Sequence, residues 1–581
     1  MKFNYLYIGL LMSFTTIAQV GIGTTNPEGT LDIVTSNDTG LIIPRVSSIE
    51  NVTNGNGGNP VNGTIVYDLS RGTTCFYSNN KWLCVGTDVN GNPVLTDETP
   101  PIYANTGTYF KASNTGDTDR FGLSVSMSND GNTLVFGASQ EDSNATGING
   151  NEADNSLSNA GAVYVFNRSG GVWSQQAYIK ASNSGAGDFF GTNLNLSGDG
   201  NTLVASATSE DSNATGINGD QTNNGASGSG AVYVFTRSGG IWTQQAYIKA
   251  SNTAANDNFG VDVYLSNDGD TLAVGANGED SSATGVNGNQ SDNSASTSGG
   301  AYVFVRSGVV WTQQAYIKAS NTEANDFFGD DVSLSGDGNT LAVSAREDSN
   351  ATGINGNQAD NSAGTAGAVY VFTRSGVIWT QQAYVKASNT AAGDFFGGTI
   401  SLNSDGNTLA VGAMQEDSSA TGANGNQADN SAIGAGAVYI FTRSGVTWTQ
   451  QTYLKASNTE ANDNFGGSIY LSDNGLALAI GAAGEDSSAT GINGTETDNS
   501  SAGSSAAYVY LYNGTGWVKE AYVKATNTEG LDIFARDVCL STDGYIFASC
   551  AWREDSNATG IGGDQTNNSF SDAGAGYLYE N

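Results

Sequence analysis

The sequence predicts an all-β protein in which a seven-bladed β-propeller follows a small β-rich module. Three observations support this fold class. A Phe-Gly pair, replaced by Phe-Ala at 534–535 in the last unit, recurs seven times at intervals of 68 or 69 residues, and each unit holds runs typical of strands. All six prolines lie within the first 101 residues, so composition changes sharply near residue 100. We therefore expect one domain at 19–100 and a second at 101–581.

The first residues have the pattern of a secretory signal. Lys2 precedes an apolar run from Tyr5 to Ile17, and Ala18 is a small residue suited to cleavage. No later stretch is long and apolar enough to predict a membrane span. The sequence thus predicts a signal peptide at 1–18 and a mature protein that is secreted or held at the cell surface.

Short alternating runs predict the β-rich module at 19–100. GTIVYD (63–68) and CFYSNNKWLCV (75–85) alternate apolar and polar residues, and an SNN turn interrupts the second run. Cys75 and Cys84 flank this turn, and an oxidising compartment would let them form a disulfide. Two unpaired thiols are the alternative.

The repeat itself defines the larger domain. The Lys of a Lys-Ala-Ser or Lys-Ala-Thr motif keeps the same phase as the Phe-Gly pair, so the period does not arise by chance. The Phe residues are Phe121, Phe190, Phe259, Phe328, Phe396, Phe465 and Phe534, and the Lys residues are Lys111, Lys180, Lys249, Lys318, Lys386, Lys455 and Lys524. Seven units of this length indicate a propeller, a solenoid or an array.

The contents of each unit favour the propeller. In the second unit the four runs are NLNLS, TLVASA, AVYVFTR and IWTQQAYIKAS, separated by Gly-rich or Asp-Gly turns. Four strands per repeat are typical of propeller blades. The first run is poor in large side chains, as expected beside the central axis. The recurring Trp residues are expected to lie in the core between blades.

The seventh unit lacks a fourth strand, and the first is preceded by a spare one. Residues 102–113 match the end of a fourth strand, so they are expected to pair with the last blade and close the ring. Closure removes the open edges of a sheet array. Cys539 and Cys550 flank the STDG turn of that blade and are expected to form a disulfide at the seam.

These residues also carry a family resemblance. NFGVDVYLSNDGDTLAVGA (258–276) resembles the FG-GAP repeat of integrin-α-type propellers, and the resemblance covers residues 102–581. It implies the propeller fold, and it implies calcium in the turn between the first two strands of some repeats. Here the run of acidic residues in that turn is broken, because Asn195, Ser197, Asp199 and Leu203 occupy the equivalent places of the second unit. Upstream, GIGTTNPEGTLDI (21–33) resembles a leader module of bacterial surface and tail-fibre-like proteins.

The connection between the second and third strands is the most informative segment for function. It spans about twenty residues in every unit, for example 139–161, and loops of this length are functional or disordered more often than not. Each contains a Glu-Asp pair followed by Asn-Ala-Thr-Gly or Ser-Ala-Thr-Gly. Because all seven loops leave the same ends of their strands, we expect them on one face.

Three interpretations of these loops remain open. The Asn, Asp, Gly and Ser side chains could satisfy their own backbone. Alternatively, the Glu-Asp pair, a downstream Asp and backbone carbonyls could bind calcium. The third interpretation is direct recognition of a glycan or a surface protein. The candidate calcium ligands are Glu141, Asp142, Asp211, Asp280, Asp348, Asp417, Asp486 and Asp555.

Charge and composition limit the function classes. The 57 acidic and 21 basic residues leave a net charge of −36, which disfavours nucleic acid as a partner. The chain has no His, the usual general base and transition-metal ligand. Sevenfold repetition also differs from the single asymmetric constellation of an active site. We expect a non-enzymatic, monomeric adhesion protein; a structural envelope component and a carbohydrate-active enzyme are the alternatives.

Overall fold

A computed structural model describes residues 107–580 except 348, together with Tyr103 and 64, and strand residues 20–22, 31–33, 45–46, 65–68, 73–78, 81–87 and 93–97. The chain divides into two compact units, 1–100 and 101–581. This division falls at the boundary that the proline distribution indicates. No helix among the described residues is long and apolar enough to cross a membrane.

The N-terminal unit contains two small sheets. A parallel pair is formed by β1 and β2, and a five-stranded sheet has the order β3 to β7. The strands are β1 (Val20–Ile22), β2 (Leu31–Ile33), β3 (Arg45–Val46), β4 (Ile65–Asp68), β5 (Thr73–Ser78), β6 (Lys81–Thr87) and β7 (Pro93–Asp97). Cys75 is buried and lies opposite Cys84 in the register of β5 and β6. The disulfide at this pair stays a prediction.

The second unit confirms the seven-bladed propeller. Each blade is a four-stranded antiparallel sheet whose strands we call a, b, c and d from the axis outward. The first three blades contain β9 (Phe121–Met127), β10 (Thr133–Ala138), β11 (Ala162–Ser169) and β12 (Val172–Ile179); β13 (Phe190–Leu196), β14 (Thr202–Ala207), β15 (Ala231–Ser238) and β16 (Ile241–Ile248); and β17 (Val263–Leu265), β18 (Thr271–Ala276), β19 (Gly300–Ser307) and β20 (Val310–Ile317).

Blades 4 to 6 repeat the same order of strands. They contain β21 (Val332–Leu334), β22 (Thr340–Ala345), β23 (Ala368–Ser375) and β24 (Ile378–Val385); β25 (Phe396–Leu402), β26 (Thr408–Ala413), β27 (Ala437–Ser444) and β28 (Thr447–Leu454); and β29 (Phe465–Leu471), β30 (Ala477–Ala482), β31 (Ala506–Tyr512) and β32 (Trp517–Val523).

Blade 7 joins the two ends of the propeller, as predicted. Its strands are β33 (Phe534–Leu540), β34 (Ile546–Ala551), β35 (Ala575–Glu580) and, as strand d, β8 (Thr108–Phe110). Tyr103 lies upstream of β8, and its ring packs near Phe547 and Tyr579. The equivalent place between blades 4 and 5 holds Trp448, so Tyr103 replaces the missing tryptophan of the last repeat.

Seven apolar cores lie between neighbouring blades. In the core between blades 1 and 2, Val163 and Ile179 of one blade meet Phe190, Tyr233 and Trp242 of the next. The Phe of each Phe-Gly pair is buried in such a core, and the Gly that follows lets the backbones of adjacent blades approach. A Cβ on Gly191 would stand 2.6 Å from the carbonyl oxygen of Ala162. The Gly of the pair therefore serves packing in six blades, and Ala535 takes its place in blade 7 with a φ of 59°.

The predicted disulfide between Cys539 and Cys550 is wrong. Both thiols are free and buried in the core between blades 7 and 1. Cys539 pairs with Ala548, whereas Cys550 pairs with Gly576, so the two cysteines are two residues out of register. Burial raises the pKa of both thiols well above the usual value, and they act as small apolar core residues.

Candidate functional site

The seven connections between strands b and c lie on one face of the propeller, which we call the loop face. These are residues 139–161 of the first blade and their equivalents. Each loop is held against its own blade. In blade 2, Ile217 forms a β-bridge with Ile248 at the end of strand d, and the backbone N–H of Asn218 donates to the carbonyl of Tyr247 at 2.7 Å. The loops are thus extensions of the sheets.

A buried ion pair fixes each loop. The Glu of the Glu-Asp pair meets the Lys of the Lys-Ala-Ser or Lys-Ala-Thr motif, with both side chains at most 2% exposed. The seven pairs are Glu141–Lys180, Glu210–Lys249, Glu279–Lys318, Glu347–Lys386, Glu416–Lys455, Glu485–Lys524 and Glu554–Lys111. We call them the Glu-Lys staples.

Blade 2 shows how a staple satisfies its charges. The carboxylate of Glu210 accepts hydrogen bonds from Lys249 Nζ (2.8 Å), Tyr247 Oη (2.9 Å), Asn183 Nδ2 (2.9 Å) and the backbone N–H of Ser212 (3.1 Å). Lys249 also donates to Ser229 Oγ at 2.7 Å. Burial lowers the pKa of Lys249, and the Glu210 charge opposes that shift. A paired and hydrogen-bonded ion pair of this kind is tolerated in a protein interior.

In the six loops where it is described, the Asp of the Glu-Asp pair caps its own loop. In blade 2, Asp211 Oδ1 accepts the backbone N–H of Gly228 at 2.8 Å, seventeen residues downstream. Asp142, Asp280, Asp417, Asp486 and Asp555 make the same contact at 2.7–2.9 Å. Asp348 lies outside the described residues. These contacts favour the interpretation in which the loops satisfy their own backbone.

The predicted calcium ligands are therefore engaged in holding the loops. Glu141 bonds Lys180 and Tyr178, and Asp142 bonds the backbone of Asn159. Among the described residues no group of three or more His, Cys, Asp or Glu side chains is arranged to hold a metal ion. In the turn between strands a and b of blade 2, Asp199 accepts hydrogen bonds from Ser197 and from the backbone of Asn201.

The a strands surround a central channel that the sequence did not single out. A cavity of about 400 Å³ lies among them. Three aspartates face it at equivalent positions, and each accepts a backbone N–H from the a strand of the next blade. Asp262 bonds Val332 (2.9 Å), Asp331 bonds Ile400 (3.2 Å) and Asp537 bonds Val125 (2.9 Å). Ser, Asn or Thr occupies this position in the other four blades.

Asp262 and Asp331 form a carboxyl pair. Burial raises the pKa of both carboxyl groups, and the charge of Asp262 raises that of Asp331 further. Like charges in proximity disfavour ionisation of both groups. Through their backbone acceptor bonds to the next blade, both residues brace adjacent a strands.

The channel is closed at the end opposite the loop face. The turns between strands a and b form a ring of backbone hydrogen bonds that passes through all seven blades, at Asn129, Gly198, Asn267, Gly336, Ser404, Asp473–Asn474 and Thr542. Asn267 Nδ2 crosses the axis to donate to Asp473 Oδ2 at 2.8 Å. The channel is therefore accessible from the loop face.

The opening at the loop face is asymmetric. A second cavity, of about 580 Å³, lies above blades 4 to 7 and is lined by Asp330, Arg346, Phe395, Asn464 and Arg536, among others. Arg346 Nε donates to Asp330 Oδ2 at 3.0 Å. Arg346, which lies beside the one-residue deletion apparent from the repeat interval, thus lines this opening. Departures from the repeat are what distinguish one side of the loop face from another.

Comparisons with known proteins identify two regions of the chain. A family model described as "FG-GAP repeat" matches residues 173–235, 242–304, 311–372, 379–441 and 448–510. A model described as "Phage tail like trimerisation region" matches residues 21–98. No curated protein matches the sequence.

One solved structure is described as a 6-phosphogluconolactonase from Bacteroides uniformis. It is 11% identical to this chain, with a TM-score of 0.37, and the match covers 78% of this chain and 92% of that one. A likeness at this level carries no argument about activity.

Proposed function

The chain belongs to the FG-GAP repeat family, and from this premise we propose that it is a non-enzymatic binding protein that acts outside the cytoplasm. The loop face of the propeller contacts the ligand, which is a glycan or a surface protein. The signal-like residues 1–18 direct export. A purely structural role in the envelope or matrix is the competing function.

The rigid presentation of the loops is the observation that supports this proposal. Each of the seven loops is pinned by a buried Glu-Lys staple, and six of them also by an Asp cap, so little ordering is needed when a ligand binds. The exposed positions of the loops are mainly Asn, Asp, Ser, Thr and Gln, which suit polar ligands.

Residues 21–98 extend the proposal. Their match to a trimerisation region supports a trimer that carries three propellers, in place of the monomer expected from the propeller alone. Linked heads can raise the apparent affinity by about 10²–10⁴ without new contacts, provided that the geometry allows simultaneous binding. Sedimentation of the full mature chain tests this point: three chains per particle are expected, and a monomer would contradict it.

A labelling experiment on the full mature chain tests the loop face. Binding is first measured on glycan arrays and on cell surfaces. Ala428→Cys, on an exposed loop position of blade 5, is then compared with Val446→Cys, on the exposed hairpin tip at the other face of the same blade. Cys75, Cys539 and Cys550 are buried, and the parent chain treated with the same reagent gives the background, so maleimide–polyethylene glycol attached above that background is on the new thiol.

Binding should be lost on labelling Ala428→Cys and kept on labelling Val446→Cys. Equal retention by both labelled variants would remove the loop face as the contact surface. Absence of binding to every glycan and surface tested would overturn the binding function and favour the structural role.

A further inference from the structure

Two of the five basic residues outside the repeat lie together at one seam of the propeller. In residues 107–580, the seven staple lysines and the five arginines at the ends of the c strands recur by position. Only Arg120, Arg346, Lys519, Arg536 and Arg553 do not. Arg120 and Arg553 lie together at the loop face where blades 7 and 1 meet. Both guanidinium groups contact the ring of Trp552.

Trp552 organises this group. The guanidinium carbons of Arg120 and Arg553 lie 4.5 and 4.7 Å from the centre of its ring. Other tryptophans of the described propeller contact one guanidinium at most, at 5.2–5.3 Å. Asp572 adds a carboxylate, with Oδ2 3.9 Å from Arg120 Nη2 and from Arg553 Nε. We call Arg120, Trp552, Arg553 and Asp572 the seam cluster.

Three N–H donors of the seam cluster have no acceptor. Arg120 Nε, Trp552 Nε1 and Arg553 Nε are buried atoms without a hydrogen-bond partner, and the described residues contain only four other side-chain atoms in this condition. The Asp572 carboxylate is beyond hydrogen-bonding distance. By contrast, the Trp242 indole donates to Gln176 at 2.9 Å. Unpaired buried donors are unfavourable, so an acceptor supplied from outside would be favoured.

Charge and access define that acceptor. Two guanidinium groups and one carboxylate leave a local charge of about +1 in a protein whose net charge is −36. The side chains of Arg120 and Arg553 are 28% and 37% exposed, so a solute can reach part of each. The three unpaired N–H atoms are themselves buried, so binding requires a small shift of these side chains. Guanidinium N–H groups match the paired oxygens of oxyanions. The surrounding negative field disfavours polyanions, which leaves a group with a single negative charge.

We propose that the seam cluster binds one singly charged oxyanion, a carboxylate or a sulfate ester, on an acidic sugar. Arg120, Trp552 and Arg553 donate hydrogen bonds to its oxygens, and Asp572 holds the two guanidinium groups in place. This inference deepens the proposed binding function and rests on it for the sugar scaffold. The oxyanion chemistry rests on the cluster itself.

The experiment titrates the full mature chain with three probes that differ only in one substituent: D-glucuronate, D-glucose 6-sulfate and D-glucose. Calorimetry or ligand-observed NMR gives the affinity. Arg553→Gln removes one charge and Trp552→Phe removes the indole N–H, while Lys519→Gln is the matched control because its cation lies outside the seam cluster. Melting temperatures verify that the variants fold.

Glucuronate or glucose 6-sulfate should bind and glucose should not. The anion that binds more tightly identifies the class. Arg553→Gln should weaken binding at least tenfold, Trp552→Phe should weaken it measurably, and Lys519→Gln should leave it unchanged. Equal binding by Arg553→Gln and Lys519→Gln, or no binding of either anion, overturns the seam site.

The two proposals fail separately. If the chain binds surfaces but neither anion, only the seam site is wrong. If an anion binds at the seam cluster but no glycan array or cell surface is bound, the seam site stands and the adhesive function is wrong.

Discussion

Removing the carboxylate of one Glu-Lys staple should cost a large part of the stability of a blade. In Glu210→Gln, the side chain keeps its shape and one acceptor oxygen, but Lys249 loses the only carboxylate that the described part of the chain places within ion-pair distance. Lys249 is fully buried, and Ser229 Oγ at 2.7 Å is its other hydrogen-bond partner. The variant therefore leaves a buried cation without an anion.

The expected magnitude follows from this geometry. Breaking a buried pair by removing one partner costs about 3–5 kcal/mol. For a cost of about 4 kcal/mol and an unfolding entropy of about 1 kcal/mol/K for a unit of this length, the melting temperature falls by about 4 °C. The matched control is Glu496→Gln, because its partner Lys519 is 27% exposed and Glu496 is 21% exposed. A pair of that kind contributes about 0–1 kcal/mol.

The loss of stability in Glu210→Gln should also depend on pH. Burial already lowers the pKa of Lys249, and the carboxylate opposes this shift, so its removal lowers the pKa further. The unfolded chain then binds more protons than the folded chain, and stability rises with pH. The deficit of Glu210→Gln relative to the unmodified protein should therefore shrink between pH 7 and pH 9.5.

Differential scanning calorimetry at both pH values measures these effects. The staple would be refuted as a stabilising unit if Glu210→Gln and Glu496→Gln lowered the melting temperature equally. The reasoning about the buried lysine would fail if the deficit grew as pH rose. The double variant Glu210→Gln/Lys249→Met should recover part of the loss, because no charge then remains buried.

Three further outcomes are expected. Excess calcium followed by chelator should leave the melting temperature of the full chain unchanged, since the loop carboxylates are engaged; a rise of several degrees with calcium bound would contradict this. Burial raises the pKa of Asp257 to about 7, above its value in the unfolded chain. The contribution of this carboxyl to the free energy of unfolding is therefore fully present below about pH 4 and is lost as pH rises through 7. The melting temperature should therefore be higher at pH 5.5 than at pH 8.5, and Asp257→Asn should reduce that difference; equal pH dependence in both proteins would count against it. Cys539 and Cys550 should resist a thiol reagent in the native protein and react after unfolding, and a count of zero thiols in the unfolded chain would restore the seam disulfide.

The fold was predictable because its determinants recur locally. Each Phe-Gly pair, strand run and turn lies within one repeat, so the period of the sequence is the period of the structure. Even the closing strand could be identified, since residues 102–113 match a fourth strand, and β8 (Thr108–Phe110) lies inside that range. The sequence did not indicate that the Tyr103 ring takes the place of a tryptophan, because this tyrosine is not part of the repeated pattern.

The staples could not be predicted from spacing alone. Glu210 and Lys249 are 39 residues apart in the sequence, and two complete strands separate them. They meet because the loop after strand b and the end of strand d reach the same face. Without that geometry, a repeated Glu-Asp pair in a polar loop fits a calcium site as well as it fits a structural role.

The channel aspartates did have a sequence signal. Asp262, Asp331 and Asp537 stand where the other blades have Ser, Asn or Thr. Their role depends on the next blade, whose backbone N–H they accept. A pattern within one repeat cannot show a contact between repeats. The disulfide expected at Cys539 and Cys550 is wrong for another reason, because the spacing around a turn does not give the register of the two strands.

The seam in blade 7 also sets how the propeller responds to mechanical load. β8 joins β35 through three residue pairs, whereas β11 joins β12 through seven. A pull on the chain ahead of β8 would peel this short ladder first and then load the Lys111–Glu554 pair. Resistance to force is governed by the rate of that opening, not by the stability of the whole ring. A propeller under tension would thus open first at the pairing of β8 with β35, while the other six blades stay folded.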